Sequence, residues 1–119
     1  MTSYKELVVW QKAMTIAEKI YLLTSNFPPE EKFGLVSQIR RSAVSIPLNI
    51  AEGRGRSSRK DFAQFLHIAL GSVNELETQL ELSMRLSLSS KADYNEIIGL
   101  LLEVKKMLFK MISSLKAKS

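Results

Sequence analysis

Residues 45–62 read SIPLNIAEGRGRSSRKDF, and the fold turns on how this stretch is parsed. Pro47 interrupts an apolar pattern of helical period, Val36, Ile39, Ala43, Ile46 and Ile50, whose steps alternate between three and four. Proline lacks an N–H and crowds the carbonyl four residues back, here that of Ala43, so a kink is expected. A full break at Ile46 is the rival, because a residue before proline avoids the helical region. The seam carries on to Ile50, which favours a kinked helix. Gly53 and Gly55 then end it, and Ser58-x-x-Asp61 has the form of a helix start. On this parsing the cations Arg54, Arg56, Arg59 and Lys60 occupy a turn between two helices.

The flanking sequence extends the same pattern. Ser3-x-x-Glu6 is a capping box, followed by Leu7, Trp10, Met14, Ala17 and Tyr21 and by a second apolar row, Val9, Ala13, Ile16, Ile20 and Leu23. Pro28 and Pro29 stop that helix, and Glu30 and Glu31 suit the positive end of the next. Past the quoted stretch the third helix has the seam Phe62, Phe65, Ala69, Val73, Leu76, Leu80 and Met84. Ser90-x-x-Asp93 opens a fourth with Tyr94, Ile97, Leu101, Val104, Leu108, Met111 and Leu115. No segment alternates like a strand. The expectation is an all-α protein, an antiparallel up-down-up-down four-helix bundle with helices over roughly 4–26, 30–53, 58–87 and 91–116.

At 119 residues, 45% apolar and 24% charged, residues 1–119 make one domain able to bury its own core. There is no cysteine, which excludes disulfides and thiolate metal sites and fits a reducing compartment. MTSYKELVVWQK carries charge where a signal peptide needs an apolar core. The aliphatic run Ile97–Leu102 is far short of the ~20 residues that span a bilayer. A cytoplasmic protein with no membrane partner is expected. Leu48, Leu70, Leu86, Leu88, Ile98 and Leu102 lie off the seams, and a contiguous patch of them would drive self-association, so a homo-oligomer is expected too.

Catalysis finds little footing. Di-iron bundles need a Glu-x-x-His pair, whereas the single histidine, His67, is preceded at that spacing by Gln64. There is no Gly-x-Ser-x-Gly elbow and no Walker motif. The expectation is a non-enzymatic protein without metal or cofactor.

Charge is more informative. The net charge is +5, but residues 32–60 contribute +6, 61–104 contribute −5 and 105–119 contribute +5, with −1 from the first 31. Such blocks suggest separate basic and acidic surfaces. A Ser58-capped helix start presents unpaired backbone N–H groups among Arg54, Arg56, Arg59 and Lys60, a combination that can hold a phosphate. It also suits a plain inter-helix turn, and spacing alone leaves the two even. Gln38, Arg41, Ser45, Asn49 and Glu52 form a polar row on the second helix; His67, Gly71, Glu75 and Thr78 form one on the third. An Arg41–Glu75 pair, within or between subunits, is the expectation for Arg41, while Arg40 is left open between structure and ligand. Lys105, Lys106, Lys110, Lys116 and Lys118 close the fourth helix, where they suit its dipole. In an up-down bundle the second and fourth helices end at the same pole, so these lysines and the Arg54–Lys60 turn should converge there.

Three ordered segments, VWQKAM, FPPEEKFGLVSQIRRSAVSIPLNIAEGRGR and FLHIALGSVNELETQLELS, resemble the four-helix-bundle family encoded in intervening sequences of bacterial 23S rRNA genes. The resemblance runs from about Leu7 to Leu88, and the fourth helix matches only in character. That family is similar to the accessory variability protein of diversity-generating retroelements, which implies a pentameric, basic, barrel-like assembly that binds nucleic acid and assists a reverse transcriptase. Arg40, Arg41 and the turn Arg54–Lys60 stand at the family's motif positions and inherit a suspected nucleic-acid role. No catalytic residue comes with the resemblance. Together these lines point to a homo-oligomer that binds nucleic acid, RNA above DNA, through Arg40, Arg41, Arg54, Arg56, Arg59, Lys60, Lys105, Lys106 and Lys110. The alternative is an interaction scaffold or an accessory subunit for a polymerase or reverse transcriptase.

Overall fold

A computed structural model describes residues 3–117, and among them there are four long helices and no strand. The helices are α1 (Val8–Thr24), α2 (Leu35–Arg54), α3 (Arg59–Arg85) and α4 (Lys91–Ala117). Single 3-10 turns at Tyr4–Glu6 and Pro29–Glu31 precede α1 and α2. The bundle measures 47 × 22 × 20 Å, as expected when 27-residue helices of about 40 Å set its length.

Cross-helix contacts show how the rods are laid. Lys12 meets Glu103 and Lys19 meets Glu96, so rising positions on α1 match falling positions on α4. Ser45 bonds Ser72 at 2.8 Å while Gly53 abuts Phe62 and Phe65, the same reversal between α2 and α3. Glu77 with Lys105, then Glu81 with Tyr94, repeats it between α3 and α4. Each helix packs on its sequence neighbours, and α1 closes the ring against α4.

The core is a column of Ile16, Ile20, Ile39, Ile46, Ile50, Leu66, Leu76, Leu80, Leu101 and Leu108, all fully buried. Each such side chain stabilises the fold by about 1.5–3 kcal/mol relative to leaving it in water. On α1 Val9, Ala13, Ile16 and Ile20 of one expected row and Ala17 of the other are buried; Met14 and Tyr21 are exposed. Of the off-seam set, Leu70 is buried and Leu88 and Ile98 pack against the core, leaving Leu48, Leu86 and Leu102 exposed.

Helix limits follow local chemistry. The hydroxyls of Ser58 and Ser90 accept from the backbone N–H groups of Asp61 and Asp93, at 3.1 and 3.0 Å, and such caps are worth about 1 kcal/mol. Two expected starts move inward. Ser3 caps only the short Tyr4–Glu6 turn, because Leu7 is extended and α1 begins at Val8. Glu30 and Glu31 likewise sit in a separate turn, because the backbone at Gly34 leaves helical geometry before α2 begins. Helix α2 runs unbroken through Pro47, whose ring is buried.

Gly55 ends α2 as expected, but Gly53 departs from the expectation. It does not end the helix: α2 continues to Arg54, with Gly55 as its C-cap. Gly53 is buried inside the helix, packed directly against α3. A Cβ there would stand 2.7 Å from the Phe65 Cβ and 3.2 Å from the Phe62 carbonyl oxygen. The glycine serves close approach, not chain reversal.

Candidate nucleic-acid interface

The close packing at Gly53 sets the α2–α3 corner. Arg56, Ser57, Ser58, Arg59 and Lys60 are all exposed there. Arg56 lies over the Phe65 ring at 4.7 Å and pairs with Glu52 at 3.1 Å. That ion pair is solvent-exposed on both sides, so it is a weak restraint. Arg59 and Lys60, at the capped start of α3, form no ion pair among the described residues. Arg54 is half-buried on the last turn of α2.

The lysines of α4 divide by their surroundings. Tyr4 lines one hollow with Gly55 and Arg56, which puts the start of the chain at the corner's pole. Lys12 is level with Glu103, so α4 positions beyond it approach the same pole. Lys110 and Lys116 therefore lie toward the corner, and Lys106 and Lys110 are exposed. Lys105 stands apart. It is half-buried and 3.1 Å from the Glu77 carboxylate, so its charge is already partnered, and Lys110 lies five residues, about 7.5 Å, nearer the corner's pole. Lys118 lies outside the described residues.

Arg40 and Arg41 have different surroundings. The Arg40 guanidinium stacks over Tyr21 at 4.4 Å, donates to the Thr24 hydroxyl at 2.9 Å and reaches the Tyr21 carbonyl at 3.3 Å. It clamps α2 to α1. Arg41 is exposed, and within the protomer it forms no pair with Glu75, which is exposed too. The polar rows meet instead through the Ser45–Ser72 hydrogen bond, while Asn49 donates back to Ser45. His67 is exposed on α3.

Lys32 and Phe33, which sequence patterning did not single out, adjoin these arginines. Lys32, Phe33, Tyr21 and Leu48 line one open groove of about 660 Å³ with Arg40 and Arg41. Phe33 is 90% exposed, with the Lys32 ammonium 5.5 Å from its ring centre. The available signal was an aromatic residue outside every apolar seam, between a lysine and a glycine.

The acidic segment is largely matched internally. Glu77 faces Lys105, Glu81 faces Arg85, Glu96 faces Lys19 and Glu103 faces Lys12. Glu81 also accepts from the Tyr94 hydroxyl at 2.9 Å. The Arg85 hydrogen bond, then that of Tyr94, holds the Glu81 carboxyl below its ordinary range, and the same contact with Glu81 raises the Tyr94 phenol. Among the described residues no helix is long and apolar enough to cross a membrane.

Comparison with known proteins agrees with this architecture. The model of the 23S rRNA-intervening sequence protein family matches residues 5–110. The crystal structure of a protein of unknown function from the S23 ribosomal protein family of Bacteroides thetaiotaomicron superposes with a TM-score of 0.80. It is 35% identical, and the match covers 88% of this chain and 98% of that one. No curated protein matches the chain.

Proposed function

The chain belongs to the 23S rRNA-intervening sequence protein family, and from that premise we propose that it is a non-enzymatic, homo-oligomeric nucleic-acid-binding protein that holds RNA through its phosphates. The observation that carries this reading is the state of Arg59 and Lys60. Both are exposed at a capped helix start, with no carboxylate paired to them. Backbone N–H groups, the positive end of the helix dipole and two side-chain cations act there together on an anion. Arg56 adds a third charge once it exchanges Glu52 for a phosphate, and Lys110 extends the field toward α4.

Self-association is supported by Leu102 and Phe109, about half exposed and seven residues apart on the outer face of α4. Repeating one cationic corner around a closed assembly would multiply modest contacts. Five copies, and service to a reverse transcriptase, are what kinship with retroelement accessory proteins would add. The cytoplasm is the compartment this role requires.

The test is binding of a labelled RNA across a salt series. Replacing Arg56, Arg59 and Lys60 by alanine should weaken binding and flatten the log–log salt slope by about 2, at ~0.7 per single-strand phosphate contact. Unchanged affinity and slope, with the fold and assembly mass intact, would reject the corner as the site. A partner captured from lysate that survives nuclease treatment would favour the scaffold role instead.

A further inference from the structure

The groove between α1 and α2 has a chemistry that phosphate binding alone does not use. Its lining joins the aromatic rings of Phe33 and Tyr21 with Leu48, and brings Lys32, Arg40 and Arg41 without a single carboxylate. An exposed phenyl ring in water is unfavourable unless something covers it, and Phe33 keeps 90% of its surface open. Lys32 rests against this ring at 5.5 Å. Arg41 follows about 9 Å along the axis from the first residue of α2. A flat apolar ring sharing its groove with three cations fits a ligand whose own flat apolar rings alternate with anions.

The geometry points to a base-stacking site for single-stranded nucleic acid, in which an unpaired base lies on Phe33 while Lys32 and Arg41 hold the flanking phosphates. It rests on the nucleic-acid role proposed above and narrows the ligand from RNA in general to unpaired strands, since bases inside a duplex cannot reach a side-chain ring. Arg40 contributes charge only, because Tyr21 and Thr24 already fix its guanidinium. A second copy of the chain fits this groove less well. The hollow around Gly71, with Asn74, Glu75 and Thr78, offers one carboxylate and no large apolar group. A nucleotide brings both.

The experiment uses the full chain and two fluorescent probes, a single-stranded RNA and a duplex of the same length, read by anisotropy. Phe33→Ala should lose about tenfold in affinity for the single strand, the usual worth of one base–aromatic stack. Its salt slope and its affinity for the duplex should not change. Phe33→Trp should restore binding, and its indole emission should be quenched by the single strand beyond any change at Trp10, the one native tryptophan. Equal losses on both probes, or no loss on either while the parent protein binds, would overturn the stacking site and leave the phosphate site standing. A fall in assembly mass for Phe33→Ala would overturn it as well, by assigning the groove to a subunit contact. Failure of the parent protein to bind either probe would instead reject the nucleic-acid role itself.

Discussion

At the α2–α3 corner Arg59 and Lys60 stand in water with no carboxylate paired to them, whereas three charges of α4 are matched across helices. Glu103 and Glu96 are tied to Lys12 and Lys19 of α1, and Lys105 to Glu77 of α3. These cross-helix pairs are partly exposed, so each is worth at most about 1 kcal/mol. What they set is register, since a shift of α4 by one turn would break all three. The corner needs no such help, because Gly53 fixes its height by packing. Charge is thus spent on alignment where the helices meet through long side chains, and left available where they meet through a glycine. A free cation on this molecule is therefore more informative about ligands than an acidic stretch of equal net charge.

The largest expected effect strikes the corner itself. Gly53→Ala places a Cβ 2.7 Å from Phe65 and against the Phe62 carbonyl, so α2 and α3 must part. Overpacking of this kind costs about 1–3 kcal/mol, against a gain of up to ~1 kcal/mol from helix propensity. Gly53→Val should lose more, with no propensity gain to match that of alanine. Gly71→Ala is the control: nothing lies within 4 Å of its added carbon, and the variant should gain about 0.5–1 kcal/mol. Urea unfolding of the three variants decides the matter. Equal stability for Gly53→Ala and Gly71→Ala would remove the packing account of the corner.

The neighbouring arginines sharpen the same contrast on one turn of helix. Arg40→Ala removes a charged donor from the buried Thr24 hydroxyl and the stack on Tyr21, and should destabilise the bundle by about 1.5–3 kcal/mol. Arg41→Ala should leave stability within about 0.5 kcal/mol of the parent and show its effect in RNA affinity. Thermal melts and anisotropy on the pair separate the roles, and a reversed outcome would exchange them.

Period and caps made the architecture legible. Four apolar seams, the serines before α3 and α4 and the prolines after α1 were enough for four helices in their order. What stayed hidden depends on which neighbour a residue faces. Both apolar rows of α1 fit a helix, and only packing shows that Val9, Ala13, Ile16, Ala17 and Ile20 are buried while Met14 and Tyr21 are not. A glycine near a helix end looks like punctuation until Phe62 and Phe65 are seen against it. Arg40 and Arg41 are adjacent in sequence but about 100° apart around a helix, so one reaches α1 and the other does not. The basic corner was legible as composition, while the pairing of Lys105 required knowing where Glu77 sits. Phe33 escaped because a single aromatic residue in a turn carries no period at all.

The smallest effect lies at the other end of the α3–α4 seam, where Glu81 accepts from Arg85 at 2.8 Å and from Tyr94 at 2.9 Å. Both bonds favour the carboxylate, Arg85 more than Tyr94, and together they depress its pKa. A depressed carboxyl contributes stability that is present above its ordinary pKa and is lost as pH falls through the folded value. The Tyr94 phenol is raised, first by the same hydrogen bond. Its contribution is present below the ordinary phenol pKa and is lost as pH rises through the folded one. The tie between the helices should therefore be flat around neutrality and fade at both extremes. Carbon-detected NMR titration of Glu81 checks the order of causes: Arg85→Gln should raise its pKa further than Tyr94→Phe does. If Tyr94→Phe has the larger effect, the phenol rather than the guanidinium governs this carboxylate, and α4 restrains the end of α3 more tightly than the cross-helix ion pairs imply.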